Sequence, residues 1–232
     1  MCIRDRYLRD NGEDIGIVNL DPGARRTPYS PDIDVREWID YNEVVREFDL
    51  GPNGALIYCV DRIVDHIEEL RESLESGGWE IVLIDTPGQF ELYVLRDSGP
   101  AIVEELSSVG KQVGLFLMSV VSSNTLNELV IQLALSMLSQ ARLSIPHYRL
   151  LSKADLASKE EIEKILDTVE NLEGLEYALE PGGWGKEADL ILAMMRMLVE
   201  SGLSTELIPV SIYTLEGFRQ IYQLLDRERG GL

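Results

Sequence analysis

Short, nearly continuous apolar runs alternate along the chain with longer segments of helical periodicity. This order is typical of an α/β domain whose mostly parallel sheet is covered by helices on both faces. The predicted strands are Ile15–Leu20, Ile81–Ile84, Val113–Val120, Tyr148–Leu151 and Leu207–Val210. The predicted helices are Ala55–Ser76, Phe90–Leu106, Asn124–Gln140, Lys159–Leu172, Lys186–Ser201 and Leu215–Arg229.

The chain has 232 residues, 45% of them hydrophobic, and can therefore bury a sizeable core. We expect one domain over residues 1–232. A stretch richer in Gly and Pro, followed by a helical pattern, predicts a surface excursion over residues 173–202.

The composition excludes several classes of function. The formal net charge is −20 and the pI is near 4.4; such a field repels nucleic-acid phosphates, and no basic patch offsets it. No apolar run approaches the ~20 residues that a membrane span requires. Two cysteines, Cys2 and Cys59, are too few for a disulfide framework or a zinc site. We predict a cytoplasmic protein that binds neither nucleic acid nor membranes.

Polar residues follow four of the predicted strands, namely Asp21, Asp85, the segment Ser152–Asp155 and Ser211. In an open parallel sheet, ligands bind beyond the carboxyl ends of the strands. We therefore expect these four segments to direct polar groups towards one edge.

The segment VLIDTPGQFE, residues 82–91, contains the most informative of these ends. A buried strand ending in Asp-x-x-Gly holds the magnesium shell of nucleotide hydrolases through its carboxylate, and its glycine N–H lies near the terminal phosphate. Asp85 and Gly88 fit these positions, and Gln89 and Glu91 follow where an attacking water needs orientation. The alternative is a strand followed by a Pro-Gly turn, with Asp85 capping the next segment.

The segment YRLLSKADL, residues 148–156, indicates the base. In many GTPases the carboxylate of a Lys-x-Asp sequence accepts the two N–H groups of guanine, and the lysine stem covers the ring. Lys153 and Asp155 fit this pattern, and adenine would leave the carboxylate unpaired. An Asn usually stands where this chain has Ser152, which weakens the match. A helix N-cap formed by Asp155 or Ser158 is the alternative.

The tetrapeptide Gly51-Pro52-Asn53-Gly54 has two interpretations. As a tight turn, it uses the φ that Pro presets and the positive φ that Asn-Gly tolerates. As a catalytic loop, it presents the Asn53 amide, which can donate to a phosphate oxygen and accept from water.

Five ordered motifs, VNLDPG, PDIDVRE, LGPNGAL, IDTPGQFE and LSKADL, resemble those of the GPN-loop GTPases, and the compact acidic chain resembles their archaeal members. The similarity extends from about Tyr7 to the final helix. It implies a three-layer P-loop NTPase fold and a homodimer that hydrolyses GTP with Mg²⁺. It also implies that the Gly-Pro-Asn loop of each subunit reaches the phosphate site of its partner.

The resemblance implies a role for each matching residue. Gly51, Pro52 and Asn53 would act in trans on the phosphates, and Asp85 would support Mg²⁺. Gln89 and Glu91 would position the water, and Asp21 would face the same water and metal region. Lys153 and Asp155 would hold guanine, and Ser211 would lie in the last base-side loop.

The sequence departs from the family in one respect, because the phosphate-loop motif Gly-x-x-x-x-Gly-Lys-[Ser/Thr] does not occur in it. We expect that the first strand, this loop and most of one helix are missing, and that an upstream reading frame encodes them. MCIRDR, residues 1–6, would then be a junction. The sheet should show a gap or an unpaired edge near its centre, and this chain should hydrolyse GTP negligibly.

Two other functions remain open at this point. One is a non-catalytic assembly factor that keeps the nucleotide-binding fold and acts on client protein complexes. The other is an ATPase of the related dimeric P-loop group, which is favoured if Asp155 makes no base contact.

Overall fold

The computed structural model describes residues 7–171, 186–201 and 206–230. The chain divides into two compact units, Met1–Gln112 and Val113–Leu232, called unit 1 and unit 2 below. A single domain over the whole chain stays a prediction. Of the predicted excursion at 173–202, residues 173–185 and 202 lie outside the described residues, and the helical pattern that follows them forms the helix Lys186–Glu200. None of the described helices is both long and apolar enough to cross a membrane.

Unit 1 contains a parallel three-stranded sheet in the order β2-β1-β3. The strands are β1 (Ile15–Asn19), β2 (Ile33–Asp34) and β3 (Ile81–Asp85). Asn19 at the end of β1 lies opposite both Asp34 and Asp85, so three polar residues end the sheet side by side. The two residues of β2 were not predicted, because so short a strand has no periodicity of its own.

The main helices of unit 1 are α1 (Tyr41–Glu47), α2 (Pro52–Arg62), α3 (Ile67–Gly77), α4 (Phe90–Tyr93) and α5 (Ser98–Leu106), with 3₁₀ turns at Val35–Glu37 and Ile63–His66. Residues 7–10 are also helical. Two predicted helices are each divided. The first is interrupted by the 3₁₀ turn at Ile63–His66. In the second, a new helix begins at Ser98, which places Pro100 in the first turn, where its missing N–H leaves no hydrogen bond unmade.

Unit 2 has a second parallel sheet, in the order β4-β5-β6. Its strands β4 (Gly114–Ser119), β5 (His147–Ser152) and β6 (Leu207–Val210) lie where the apolar runs predicted them. Its helices are α6 (Leu126–Leu143), α7 (Lys159–Glu170), α8 (Lys186–Glu200) and α9 (Phe218–Arg229), with 3₁₀ turns at Val120–Ser122 and Ala154–Leu156. The main core of unit 2 packs residues of these strands against α6, α7 and α8, including Met118, Leu133, Leu151, Ile165 and Met195.

Each sheet ends in an apolar strand that has a partner on one side only within the described residues. In unit 1, β3 pairs with β1, and all five β3 residues are half-exposed whereas all five β1 residues are buried. In unit 2, β4 pairs with β5. A gap or an unpaired edge near the centre of one sheet, and the loss of a preceding strand, both stay predictions.

Candidate functional site

Asp85 ends β3 and accepts a hydrogen bond from the hydroxyl of Tyr29, in the loop between β1 and β2. The backbone carbonyl of Asp85 also accepts from the Leu20 N–H at 2.8 Å. Burial and the bond to Asp85 both raise the pKa of Tyr29. The phenol therefore stays protonated and keeps donating to the carboxylate.

Asp21 follows β1 and is held in a local turn. Its Oδ1 accepts from the Gly23 N–H at 2.9 Å, and its own N–H donates to Asn19 Oδ1 at 3.2 Å. Burial raises the pKa of Asp21, and the negative charge of Asp85 adds to the increase; the hydrogen bond from Gly23 opposes it without cancelling it. Two carboxylates of unit 1 thus repel each other, an arrangement that a bound cation would relieve.

At the same end of the sheet, Asn19, Asp34 and Arg36 form a largely buried network. Asn19 is fully buried and donates to Asp34 Oδ1 at 2.9 Å. Arg36 Nε donates to both carboxylate oxygens of Asp34, at 2.8 and 3.0 Å. Burial raises the pKa of Asp34, but the hydrogen bonds from Arg36 and Asn19 outweigh it, so the pKa lies below its ordinary value. The network fixes the carboxyl end of β1.

Gly88, Gln89 and Glu91 lie after β3 and are all exposed. Gln89 is the N-cap residue of α4, and Glu91 lies in its first turn. Asp85 is therefore not the cap of the following segment, and the capping alternative is wrong. A Cβ added at Gly88 would meet nothing within 4 Å, so no neighbouring atom crowds this position.

The Gly-Pro-Asn sequence begins a helix and is not a turn. Gly51 is the N-cap residue of α2 with φ −64°, and Pro52 occupies the first helical position. Within the described chain, none of the four residues Gly51 to Gly54 has a positive φ. The tight-turn interpretation is thus wrong, because Pro at N1 has the φ of a helix and no N–H to satisfy. Asn53 is exposed in the first turn.

Helix α2 packs against the segments that end β1 and follow β3. Leu56 and Val60 of α2 form an apolar cluster with Leu92 of α4. A Cβ added at Gly23 would lie 2.8 Å from Leu56 Cδ1. The helix that begins with the Gly-Pro-Asn sequence is therefore packed on both of these segments of unit 1.

In unit 2, the predicted base-binding residues meet at the ends of β5 and β6. Asp155 Oδ1 accepts a hydrogen bond from Ser211 Oγ at 2.5 Å. Ser211 is buried, whereas Lys153 and Asp155 are exposed. Lys153 has a left-handed backbone, with φ +60°, which is uncommon for a residue with a side chain. The Asp155 carboxylate is thus oriented at an open strand end.

Ser152 and Ser158 have local structural roles. Ser152, where an Asn was expected, donates from Oγ to the Met118 carbonyl at 2.9 Å and joins β5 to β4. Ser158 is the N-cap of α7 and forms a capping box with Glu161. Asp155 is therefore not the cap of α7, so that half of the N-cap alternative is wrong.

The donor set of unit 1 fits magnesium. Among the described residues there is no group of three or more His, Cys, Asp or Glu that could hold a metal. Mg²⁺ in nucleotide sites commonly takes one or two carboxylates and completes its shell with phosphate oxygens and waters. Asp85, with Asp21 near it, matches that requirement.

Sequence reasoning missed Tyr29 and gave no role to Asn19, Asp34 or Arg36. The PDIDVRE motif contains Asp34 and Arg36, so its presence was a signal that these residues matter. Nothing local indicated that Tyr29 would contact Asp85, because the two residues lie 56 positions apart in the chain.

Comparison with known proteins decides the family. A profile described as conserved hypothetical ATP binding protein matches residues 5–230. A GPN-loop GTPase of Pyrococcus abyssi is 32% identical over 232 residues, or 94% of this chain and 87% of the relative. The chain belongs to the GPN-loop GTPase family. A solved structure described as a GTPase in apo form from Pyrococcus abyssi matches with a TM-score of 0.86 and 29% identity, over 98% of this chain and 90% of that one.

Other GPN-loop GTPases match over a shorter span. GPN-loop GTPase 3 of Mycosarcoma maydis is 35% identical over 67% of this chain and 56% of its own length. A GPN-loop GTPase 2 homolog of Dictyostelium discoideum is 33% identical over 65% of this chain and 48% of its own length. The chain thus spans about half the length of these two relatives. Its parallel sheets have the α/β fold of a P-loop GTPase.

Proposed function

We propose that this protein binds GTP and hydrolyses it as a homodimer, with the Gly-Pro-Asn segment of one subunit acting at the phosphates of the other. Membership of the GPN-loop GTPase family supports the nucleotide class. The observation on which the choice of guanine depends is the hydrogen bond from Ser211 to Asp155.

Asp155 is suited to the Watson–Crick edge of guanine. Its exposed carboxylate can accept from the N1–H and the 2-amino group, and the Ser211 hydroxyl holds it in place from one side. Adenine has no such donor pair, so it would leave a negative charge without a partner. Lys153 would cover one face of the base with its stem.

The residues of unit 1 would serve the phosphates. Mg²⁺ would be held by Asp85 and would neutralise charge that develops on the phosphate oxygens. Asp85 is oriented by Tyr29, and Asp21 adds a second carboxylate near it. Gln89 and Glu91, exposed at the start of α4, would orient the attacking water, and the Gly88 N–H would donate to the terminal phosphate.

The trans action depends on Asn53. Its amide lies exposed at the start of α2, where helix N–H groups favour an anion. Gly51 puts no side chain beside the amide, and Pro52 fixes the φ of the first helical position. A partner subunit's phosphates would receive a donor from Asn53, and the same amide would accept from the attacking water.

A test of guanine recognition uses Asp155→Asn. The amide oxygen can still accept from Ser211, but the amide NH₂ now meets the guanine donors and instead matches the C2 carbonyl of xanthine. We expect affinity for guanosine monophosphate to fall about tenfold to a hundredfold and affinity for xanthosine monophosphate to rise. Ligand-observed NMR titrations of the 232-residue chain measure both, with adenosine monophosphate as the reference.

The matched control is Asp167→Asn, the same change of charge on the exposed face of α7, which should leave all three affinities unchanged. Equal affinity of the parent chain for the guanine and adenine nucleotides would contradict guanine recognition. It would favour the ATP-binding function that the description of the matching profile suggests.

Hydrolysis by these 232 residues alone should be negligible, because the sequence contains no Gly-x-x-x-x-Gly-Lys-[Ser/Thr] to supply the phosphate-binding lysine and the Mg²⁺-binding hydroxyl. Phosphate release from GTP with Mg²⁺, measured over a range of chain concentrations, checks this. Turnover that Asp85→Asn and Asn53→Ala both abolish would contradict the expectation, since a contaminating enzyme would not respond to either change.

A further inference from the structure

The loop from Ser211 to Gly217, which follows β6, is fastened by its own hydrogen bonds. The Ser211 N–H donates to the Glu216 carbonyl at 3.2 Å. The N–H groups of Tyr213 and Thr214 donate to Ser211 Oγ at 3.1 and 3.3 Å. The backbone of this loop is therefore closed on itself by its own hydrogen bonds.

Gly217 closes the loop against β6. Its φ is +76°, and a Cβ added there would lie 2.2 Å from the Pro209 carbonyl oxygen. Leu215 also has a left-handed backbone, with φ +61°. These conformations are costly for most residues, so the loop is held in one shape by its contacts.

The side chain of Tyr213 points out of this fixed loop into solvent. It is 78% exposed, and within the described part of the chain it has no hydrogen bond, ion pair or ring contact. Two apolar neighbours at this end of unit 2 are also exposed, Leu156 at 64% and Ile212 at 43%. An aromatic ring that is held on a rigid support and has no partner among the described residues is suited to contact a ligand.

The backbone of Tyr213 is linked through Ser211 to Asp155, the proposed guanine-binding residue. Ser211 Oγ donates to Asp155 and at the same time accepts from the Tyr213 N–H. A single hydroxyl thus fixes both the carboxylate and the backbone that bears the ring. A purine whose edge meets Asp155 would still expose to water the face that the Lys153 stem does not cover, unless a flat apolar group lay against it.

We infer that Tyr213 is a base-binding residue that stacks on one face of the purine whose edge Asp155 recognises. The inference rests on the proposed function. Stacking on an aromatic ring does not discriminate between purines, so Tyr213 supplies affinity and Asp155 supplies the choice of guanine.

Titrations of the 232-residue chain with guanosine and inosine monophosphates test this. Inosine lacks the 2-amino group but keeps the purine face. Tyr213→Ala should weaken both nucleotides by the same factor, about fivefold to a hundredfold, and leave their ratio unchanged, while Tyr213→Phe should bind like the parent. Asp155→Asn should instead bring the ratio of the two affinities close to one. Leu135→Ala, which shortens an exposed apolar side chain of α6, should change neither affinity.

A spectroscopic readout reports the contact itself. In protein labelled at tyrosine, the ring resonance of Tyr213 is identified as the one that is missing from the Tyr213→Phe spectrum. It should shift upfield when guanosine monophosphate is added and should not shift when ribose 5-phosphate is added. An unmoved resonance together with unchanged binding by Tyr213→Ala would overturn the inference. Guanine recognition by Asp155 would still hold if Asp155→Asn lost the preference for guanosine monophosphate. A parent chain that binds no purine would overturn both.

Discussion

Replacing Gly99 by alanine is expected to lower the free energy of unfolding by about 3 kcal/mol or more. Gly99 is buried in the first turn of α5, and a Cβ added there would lie 1.7 Å from the carbonyl oxygen of Tyr93 in α4. The clash is with backbone, which cannot rotate aside as a side chain can. Relief requires α4 and α5 to separate, and that opens the core of unit 1.

Urea unfolding followed by circular dichroism measures this loss. Gly110→Ala is the matched control, because a Cβ at Gly110 would meet nothing within 4 Å and its φ is not positive. We expect the control to stay within about 0.5 kcal/mol of the parent. A Gly99→Ala chain as stable as Gly110→Ala would show that the close approach of α5 to Tyr93 is wrong.

The second large effect is expected from Arg36→Ala. The guanidinium binds the Asp34 carboxylate, and its Nη1 also donates to the Ala24 carbonyl at 2.7 Å. The Asp34 side chain is 11% exposed and that of Arg36 28%, so the variant would leave a largely buried carboxylate without its cation. Because both side chains are partly exposed to water, the unpaired charge destabilises the fold less than a fully buried one would. We expect a loss of about 2–3 kcal/mol in the free energy of unfolding. Urea unfolding at neutral pH measures the loss.

The pH dependence of that loss identifies its cause. The folded-state pKa of Asp34 lies below the ordinary value of 3.8, so its ionised form stabilises the fold above that value. This contribution is lost as the pH falls from 3.8 through the folded-state pKa. The difference in the free energy of unfolding between the parent and Arg36→Ala should therefore be largest at neutral pH and should decrease in acid. A difference that does not change with pH would assign the loss to packing alone.

Arg62→Ala serves as the control for surface charge. Arg62 pairs with Asp65 at 2.8 Å, but both side chains are about half exposed. Such pairs contribute little because water screens them and ordering two long side chains costs entropy. We expect a change below about 0.5 kcal/mol.

The strands were predictable because their signal is local. A buried parallel strand is a continuous apolar run, and all five predicted strands occur within two residues of their expected ends. Helix boundaries were less accurate, since periodicity continues through the 3₁₀ turn at Ile63–His66, where the backbone tightens without changing the apolar face. The two residues of β2 exist only because β1 offers them a partner.

The chain's motifs by themselves determined which strand ends bear chemistry and which family the protein resembles, because those residues are contiguous in sequence. Tertiary structure alone decided that Tyr29 donates to Asp85, that Ser211 donates to Asp155 and that the Gly-Pro-Asn segment begins a helix. Each of those hydrogen bonds joins residues 56 positions apart. Local periodicity cannot specify such a pair, because its geometry depends on how separate strands align in the folded sheet.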